Sequence, residues 1–339
     1  MKSKDFADCL TQYFTVYLPG VKNVSINTIR SYRDTFSLFL TYCRDFEKKN
    51  LSKLEFKDVD ADLIRRFLEW LETERSNSAS SQNQRLASIR AFFRYAQCEF
   101  PQYYAITSKI LDMPFRKTAK PEIGYIRKDI LTELLALPDQ STLSGKRDFA
   151  LLCLLYDTGA RVQEIVDLKI NDIRLEPPAV AKLTGKGRKT RIVPLMSETE
   201  KIVREYLSSR NSGTSYRLDE PLFVNRQQRK LTRSGVAYIV SKYAERLIEK
   251  GGSLDITISP HIFRHTKAMH LIQADINIIY IRDLLGHTDV KTTEVYARAD
   301  TEMKRRALEK LASNLPQSQQ SSWVGDHDLL GWLNGLCRE

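Results

Sequence analysis

Four of the five histidines fall between His261 and His287, and what they could do depends on their neighbours. The run Ser259-Pro260-His261-Ile262-Phe263-Arg264-His265-Thr266 has a proline suited to the first turn of a helix. That start sets His261 and Arg264 one turn apart on one face. His261 and His265 also stand at the i, i+4 spacing of a zinc site, but no glutamate follows the first histidine and no further ligands cluster nearby. A lone histidine on a helix is ordinarily a satisfied core residue. That bland reading weakens with an arginine a turn away. Downstream come Leu284-Leu285-Gly286-His287-Thr288-Asp289 and Thr292-Thr293-Glu294-Val295-Tyr296, and upstream Asp157-Thr158-Gly159-Ala160-Arg161-Val162-Gln163-Glu164-Ile165. Singly these are bland: Arg161 and Glu164 read as a helix-surface ion pair, and Tyr296 is one of 15 tyrosines. The sequence has no P-loop, dinucleotide fingerprint or acidic metal cluster, so neither cofactor nor metal is expected.

The elements that must carry these residues differ along the chain. In Ser25 to Cys43, apolar Ile29, Tyr32, Phe36, Phe39 and Cys43 trace one helix face, with Asn23 or Ser25 as the N-cap. Asp62 to Arg75 and Ser80 to Gln97 repeat the pattern, and the last carries Arg85, Arg90 and Arg94 off its apolar stripe. Those arginines suit either a solvated face or phosphate contact. Between Met113 and Lys128, Pro114 and Pro121 interrupt any helix, and Arg116, Lys117, Lys120, Arg127 and Lys128 make the stretch a basic linker. Helix resumes from Ile126 and again from Arg147 to Tyr156. Val180 to Leu183 and Thr190 to Leu195, joined by Gly185-Lys186-Gly187, then predict two short strands. Further helices are expected from Glu198, Thr232 and His261, and through Tyr296 to Leu311. A polar tail, Gln317 to Ser322, leads to the amphipathic stretch Leu329, Leu330, Trp332, Leu333 and Leu336.

The 339 residues fit two domains better than one. Lys and Arg number 53 against 42 Asp and Glu, a formal charge of +11 with a pI near 9.3. That excess favours a polyanionic partner, because basic side chains displace counterions condensed on phosphates. The five cysteines are scattered without a C-x-x-C pair, which suggests neither a disulfide framework nor a zinc ribbon. No secretory h-region opens the chain. The longest apolar run, Phe149 to Tyr156, is far short of the roughly 20 residues of a membrane span. A cytoplasmic, reducing setting without a membrane is expected, nucleoid-associated in a bacterium.

Taken in order, T-G-A-R-V-Q-E-I, the turn G-K-G-R-K-T-R-I-V-P-L, H-I-F-R-H-T and L-G-H-T-D-V-K-T-T-E-V-Y form a constellation. It resembles the tyrosine recombinase (phage integrase) family over essentially all of residues 126 to 311, and more loosely over the helical N-terminal part. Ala160 stands where that family commonly has leucine, a departure that touches packing rather than chemistry. The resemblance implies a mainly α fold with a small β-sheet. Residues 1–112 would be a SAM-like core-DNA-binding bundle, 113–125 a basic linker, 126–312 a mixed α/β catalytic domain, and 313–339 a tail with a subunit-docking helix.

It also implies roles. Arg161 and Arg264 would grip the scissile phosphate. Lys186 would protonate the departing 5′-oxygen, with Arg188, Lys189 and Arg191 as rivals beside it. His261 would assist proton transfer, His287 would hydrogen-bond the phosphate, and Glu164 would orient a catalytic neighbour. Tyr296 would be the nucleophile. A free phenol is only about 0.1% ionised at neutral pH, and the surrounding positive charge would favour the phenolate. DNA contacts are expected from Arg85, Arg90, Arg94, Arg116, Lys117, Arg188 and Lys189. The implied partners are a double-stranded recombination site and three further copies of the chain, a homo-tetramer on two sites. Two readings compete: a type IB topoisomerase, and a DNA-binding relative without catalysis. The tail and the L-G-H motif speak against the first, the intact residue set against the second.

Overall fold

Apolar residues at helical spacing build the N-terminal part, and the computed structural model shows which of them meet. It describes residues 6–118, 124–210, 217–251, 256–287, 289, 292–294 and 296, apart from the Lys186 side chain. The chain divides into two compact units, Met1–Pro121 and Glu122–Glu339. Lys120 and Pro121 of the linker, the chain after Tyr296, the tail 317–322 and the terminal stretch 329–336 lie outside the described residues. Among the described residues no helix is long and apolar enough to cross a membrane.

In the first unit α1 (Phe6–Gln12) runs on into a π-helical segment, Tyr13–Val21. Then follow α2 (Ile26–Asp45), α3 (Ala61–Thr73), α4 (Ala79–Glu99) and α5 (Tyr104–Leu111). Ser25 rather than Asn23 caps α2, its hydroxyl accepting the Thr28 N–H; Asp60 and Ser78 cap α3 and α4 in the same way. The periodicity anticipates α2, α3 and α4 but neither α1 nor α5, which are too short to show a stripe. Yet α1 supplies buried Phe6 and Cys9, and α5 supplies Ile110. Phe92 on α4 is the hub, its ring centroid 5.1 Å from Phe36, 5.3 Å from Tyr13 and 5.5 Å from Phe6, each edge-on.

The second unit begins with α6 (Lys128–Leu135), α7 (Leu143–Thr158) and α8 (Val162–Asp167). An antiparallel sheet of order β1-β2-β3 follows, made of β1 (Ile173–Arg174), β2 (Val180–Thr184) and β3 (Thr190–Pro194). The two expected strands are β2 and β3, paired from Val180↔Pro194 to Thr184↔Thr190; β1 is too short to leave a pattern. Then come α9 (Ser197–Arg210), α10 (Arg233–Glu249), α11 (Pro260–Gln273) and α12 (Ile278–Leu285). Helix α7 is the core's axis: Ala150, Leu151, Leu152, Leu154 and Leu155 are wholly buried. Both α7 and α12 stop at a left-handed glycine, Gly159 (φ 56°) and Gly286 (φ 65°), a conformation that a side chain disfavours. These two stops release the chain where the motif residues stand.

Removing the Phe92 ring should lower stability by about 3–5 kcal/mol, as for a buried phenylalanine cut to alanine. Urea unfolding of the full chain carrying Phe92→Ala checks this, with the first unit's transition moving to lower urea.

Candidate active site

Beyond Gly159 the chain enters α8 with Arg161 at its N-cap. The Glu164 carboxylate, 3% exposed, folds back on that residue. Its Oε2 accepts the Arg161 backbone N–H at 2.8 Å and its Oε1 accepts from Arg161 Nη1 at 2.9 Å. The i, i+3 ion pair is therefore real, and its carboxylate is buried while Arg161 stays partly exposed. Arg191 on β3 gives the same carboxylate a second fork, Nη1 to Oε1 at 3.0 Å and Nη2 to Oε2 at 2.8 Å. Burial pushes the Glu164 carboxyl up, but the Arg191 fork and charge, with the hydrogen bonds from the Arg161 backbone and side chain, outweigh it, and it lies below its ordinary value.

Helix α12 ends against this cluster. Its carbonyls accept in succession from three arginines: Leu284 from Arg191 Nε at 2.8 Å, Leu285 from Arg264 Nη2 at 2.6 Å, and Gly286 from Arg161 Nη2 at 3.4 Å. The last carbonyls of a helix lack partners within it and carry its negative dipole end, so they attract cations. Arg264, 5% exposed, also donates Nη1 to the Gly159 carbonyl at 2.8 Å. Burial, then the nearby Arg161 charge, pushes its guanidinium down to about 10, still cationic at neutral pH. The one-turn spacing of His261 and Arg264 does not give them one environment, since His261 is exposed.

Tyr296 is 4% exposed and packs with Ala268, Met269 and Ile272 of α11 and with Ile281 and Leu285 of α12. Its hydroxyl lies 2.8 Å from His265 Nδ1. Burial holds the phenol above its ordinary value, although Arg264 and Arg161 pull it down. The expected pull of positive neighbours toward the phenolate is present, but in the DNA-free chain desolvation outweighs it. His265 is the residue that sequence reasoning passed over. It stood in the H-x-x-R-H motif, but its spacing from His261 drew attention to zinc instead. Burial first, then His261 and Arg264, lowers its imidazole from the ordinary 6.5. The His287 ring lies parallel to Tyr296, centroids 6.3 Å apart, and its Nδ1 is 2.8 Å from Thr293 Oγ1. Burial, with Arg264, Arg161 and Arg191, pushes it down to about 4, so it is neutral at pH 7.

The hairpin tip between β2 and β3 closes through Gly185 N–H donating to the Lys189 carbonyl at 2.8 Å. It uses left-handed backbone at Gly187 (φ 75°) and Arg188 (φ 57°). Arg188 and Lys189 are exposed. Lys189, Arg161, Arg191, Gly286 and His287 border a cavity of about 580 Å³. In the first unit Arg94 and Lys117 are exposed, whereas Arg85 donates to Thr35 Oγ1 at 3.3 Å. Arg90 donates to the Met113 carbonyl at 3.3 Å and lies 4.8 Å over the Phe115 ring. Arg116 pairs with Glu72. Of the three α4 arginines, Arg94 alone fits the solvated face.

The Phage integrase family profile matches residues 125–303, and that of the phage integrase N-terminal SAM-like domain matches residues 11–99. A Sinorhizobium fredii protein named as an integrase/recombinase, y4rC, is 35% identical over 337 residues, covering 99% of each chain. Tyrosine recombinase XerC of Oceanobacillus iheyensis is 31% identical over 305 residues, covering 88% of this chain and 93% of its own. The fold is shared with XerH recombinase bound to a palindromic difH substrate (TM-score 0.68, 21% identity, 91% of this chain and 83% of that one). It is shared too with the Tn1549 transposon integrase bound to transposon right end DNA (TM-score 0.69, 18% identity, 90% and 99%). The chain belongs to the tyrosine recombinase (phage integrase) family of DNA strand-transferring enzymes.

Proposed function

We propose that the protein is a site-specific recombinase that cuts and rejoins double-stranded DNA through a 3′-phosphotyrosine on Tyr296. The observation that carries this is the convergence of Arg161, Arg264, His287 and the Tyr296 phenol around the end of α12. The Tyr296 oxygen attacks the scissile phosphorus and its proton passes to His265 Nδ1, the atom it already contacts. The bond from phosphorus to the 5′-oxygen breaks, and Lys186 delivers a proton to that oxygen. Charge gathering on the non-bridging oxygens meets Arg161 and Arg264, and one such donor is worth about 10²–10³ in rate. His287, neutral and with Nδ1 turned to Thr293, offers its Nε2–H to the same phosphate. His261, exposed at the start of α11, assists proton movement on the DNA side, and Glu164 orients Arg161.

The phosphotyrosine ester keeps the energy of the broken bond, so a 5′-hydroxyl from another strand can reverse the step without ATP. Arginine charge serves where a metal would otherwise be needed. Arg94, Lys117, Arg188 and Lys189 supply exposed charge for phosphates along the site; Arg85, Arg90 and Arg116 would have to give up or share partners within the first unit. Four copies act on two sites, joined through the stretch Leu329 to Leu336. The XerH recombinase and Tn1549 integrase structures of this fold hold DNA, which supports DNA as the substrate. With DNA as its substrate, the enzyme works in the cytoplasm alongside the chromosome. Integration, excision, transposition and dimer resolution all fit the same core.

A nicked suicide substrate tests the mechanism. The native chain should accumulate a covalent adduct, and Tyr296→Phe should bind the DNA without forming one; any adduct with the variant sinks the reading. Because His265 must be unprotonated to accept, cleavage should stay level above pH 6.5 and fall as acidity rises through its lowered value. His265→Gln should slow cleavage about 100-fold and flatten that acid limb, as single-turnover rates from pH 5 to 8 will show. Deleting residues after Gln317 should leave DNA binding intact in a mobility-shift assay while impairing recombination between two sites.

A further inference from the structure

Arg191 has no part in the chemistry just described, yet its own contacts shield it so well that its side chain keeps 13% of its exposure. It sits one pair behind the hairpin tip, opposite Leu183 in the β2–β3 register. From there it makes three kinds of contact: a two-pronged fork on Glu164, an Nε–H donated to the Leu284 carbonyl, and packing against Gly286. The two motif glycines record how tightly it is seated. A Cβ on Gly286 would come within 2.9 Å of Arg191 Nη1, and one on Gly185 within 2.7 Å of Glu164 Oε1. The first residue of the hairpin tip thus lies directly on the carboxylate that Arg191 and Arg161 share.

We propose that Arg191 is a positioning residue: through Glu164 and the Leu284 carbonyl it fixes the hairpin that bears Lys186 relative to the phosphate-binding Arg161. The proposal rests on the reading of Lys186 as the proton donor. Physically, a two-stranded hairpin has little to hold its tip, and a general acid must reach its oxygen within hydrogen-bonding distance to act. The planar fork of arginine supplies what a point charge does not, because it satisfies a carboxylate and a carbonyl at fixed angles at once. A plain neutralising role for Arg191 would predict damage to Glu164 and hence to Arg161, with the proton donor no worse affected than the phosphate grip.

The test separates those two outcomes by changing the leaving group. In a suicide substrate whose scissile 5′-bridging oxygen is replaced by sulfur, the thiolate departs without a proton. Arg191→Gln should cut oxygen-substrate cleavage about 100-fold and come within about fivefold of the native chain on the sulfur substrate. Arg191→Lys keeps the charge beside Glu164 and guards against misfolding; it should show the same split to a lesser degree. Equal losses on both substrates, or no loss on either, overturn the proposal. Lys186→Ala is run alongside: if sulfur fails to rescue it, the proton donor is misassigned and this inference falls with it. If sulfur rescues Lys186→Ala but not Arg191→Gln, the donor stands and the positioning role alone is refuted.

Discussion

Three consecutive carbonyls at the end of α12 hold three arginines from three different parts of the chain. Leu284 takes Arg191 from the hairpin, Leu285 takes Arg264 from α11, and Gly286 takes Arg161 from the start of α8. Those carbonyls are orphans of the helix, so their bonding to guanidinium groups satisfies the helix and assembles the site in the same act. If α12 ran one turn further its carbonyls would face amide N–H groups instead. The left-handed Gly286 that stops it is therefore as much a part of the site as the arginines.

Gathering cations has a cost that the surroundings offset. Arg264 is pushed down to about 10 by burial and by Arg161 beside it, and the Glu164 carboxylate, almost wholly buried, balances Arg161 and Arg191. An ion in a protein interior is tolerated when its lone pairs are all taken, and Glu164 meets that condition with four donors. Arg161 keeps 37% of its side-chain exposure and borders the cavity. The pair that neutralises it from behind leaves its outer edge for an anion. On the proposed function, a phosphodiester arriving there would relieve repulsion among guanidinium groups that the fold has already brought together.

Most of this could be read from residue order. Helical stripes gave α2, α3 and α4 nearly in full, because those helices are long and half-buried, and a continuous apolar run gave the buried α7. The glycine turn between β2 and β3 gave the hairpin. What the sequence hid was of two kinds. Elements too short for a period, α1, α5 and β1, are fixed by tertiary packing, as Phe6 against Phe92 shows. Contacts between distant residues were the second kind. Glu164 was seen as the partner of Arg161 but not of Arg191, and His265 was passed over for the phenol, since neither spacing along the chain nor residue type announces a contact across 31 residues. The α4 arginines illustrate the same limit: Arg85, Arg90 and Arg94 are alike in sequence, and different neighbours send two inward and one to solvent.

The phenol brings these strands together. Its burial among Ala268, Met269, Ile272, Ile281 and Leu285 keeps it protonated, because desolvation penalises the phenolate more than Arg161 and Arg264 favour it. On the proposed mechanism, a chain free of DNA thus holds its nucleophile in the protonated form. The proposed attack then requires proton removal at the same moment, and with it a base in contact and neutral at cellular pH. Burial beside two cationic or ionisable neighbours is what lowers His265 into that condition. The same desolvation that restrains Tyr296 therefore lowers the imidazole next to it, and the proposed chemistry would be confined to the moment when a phosphate lies beside the arginines and the ring.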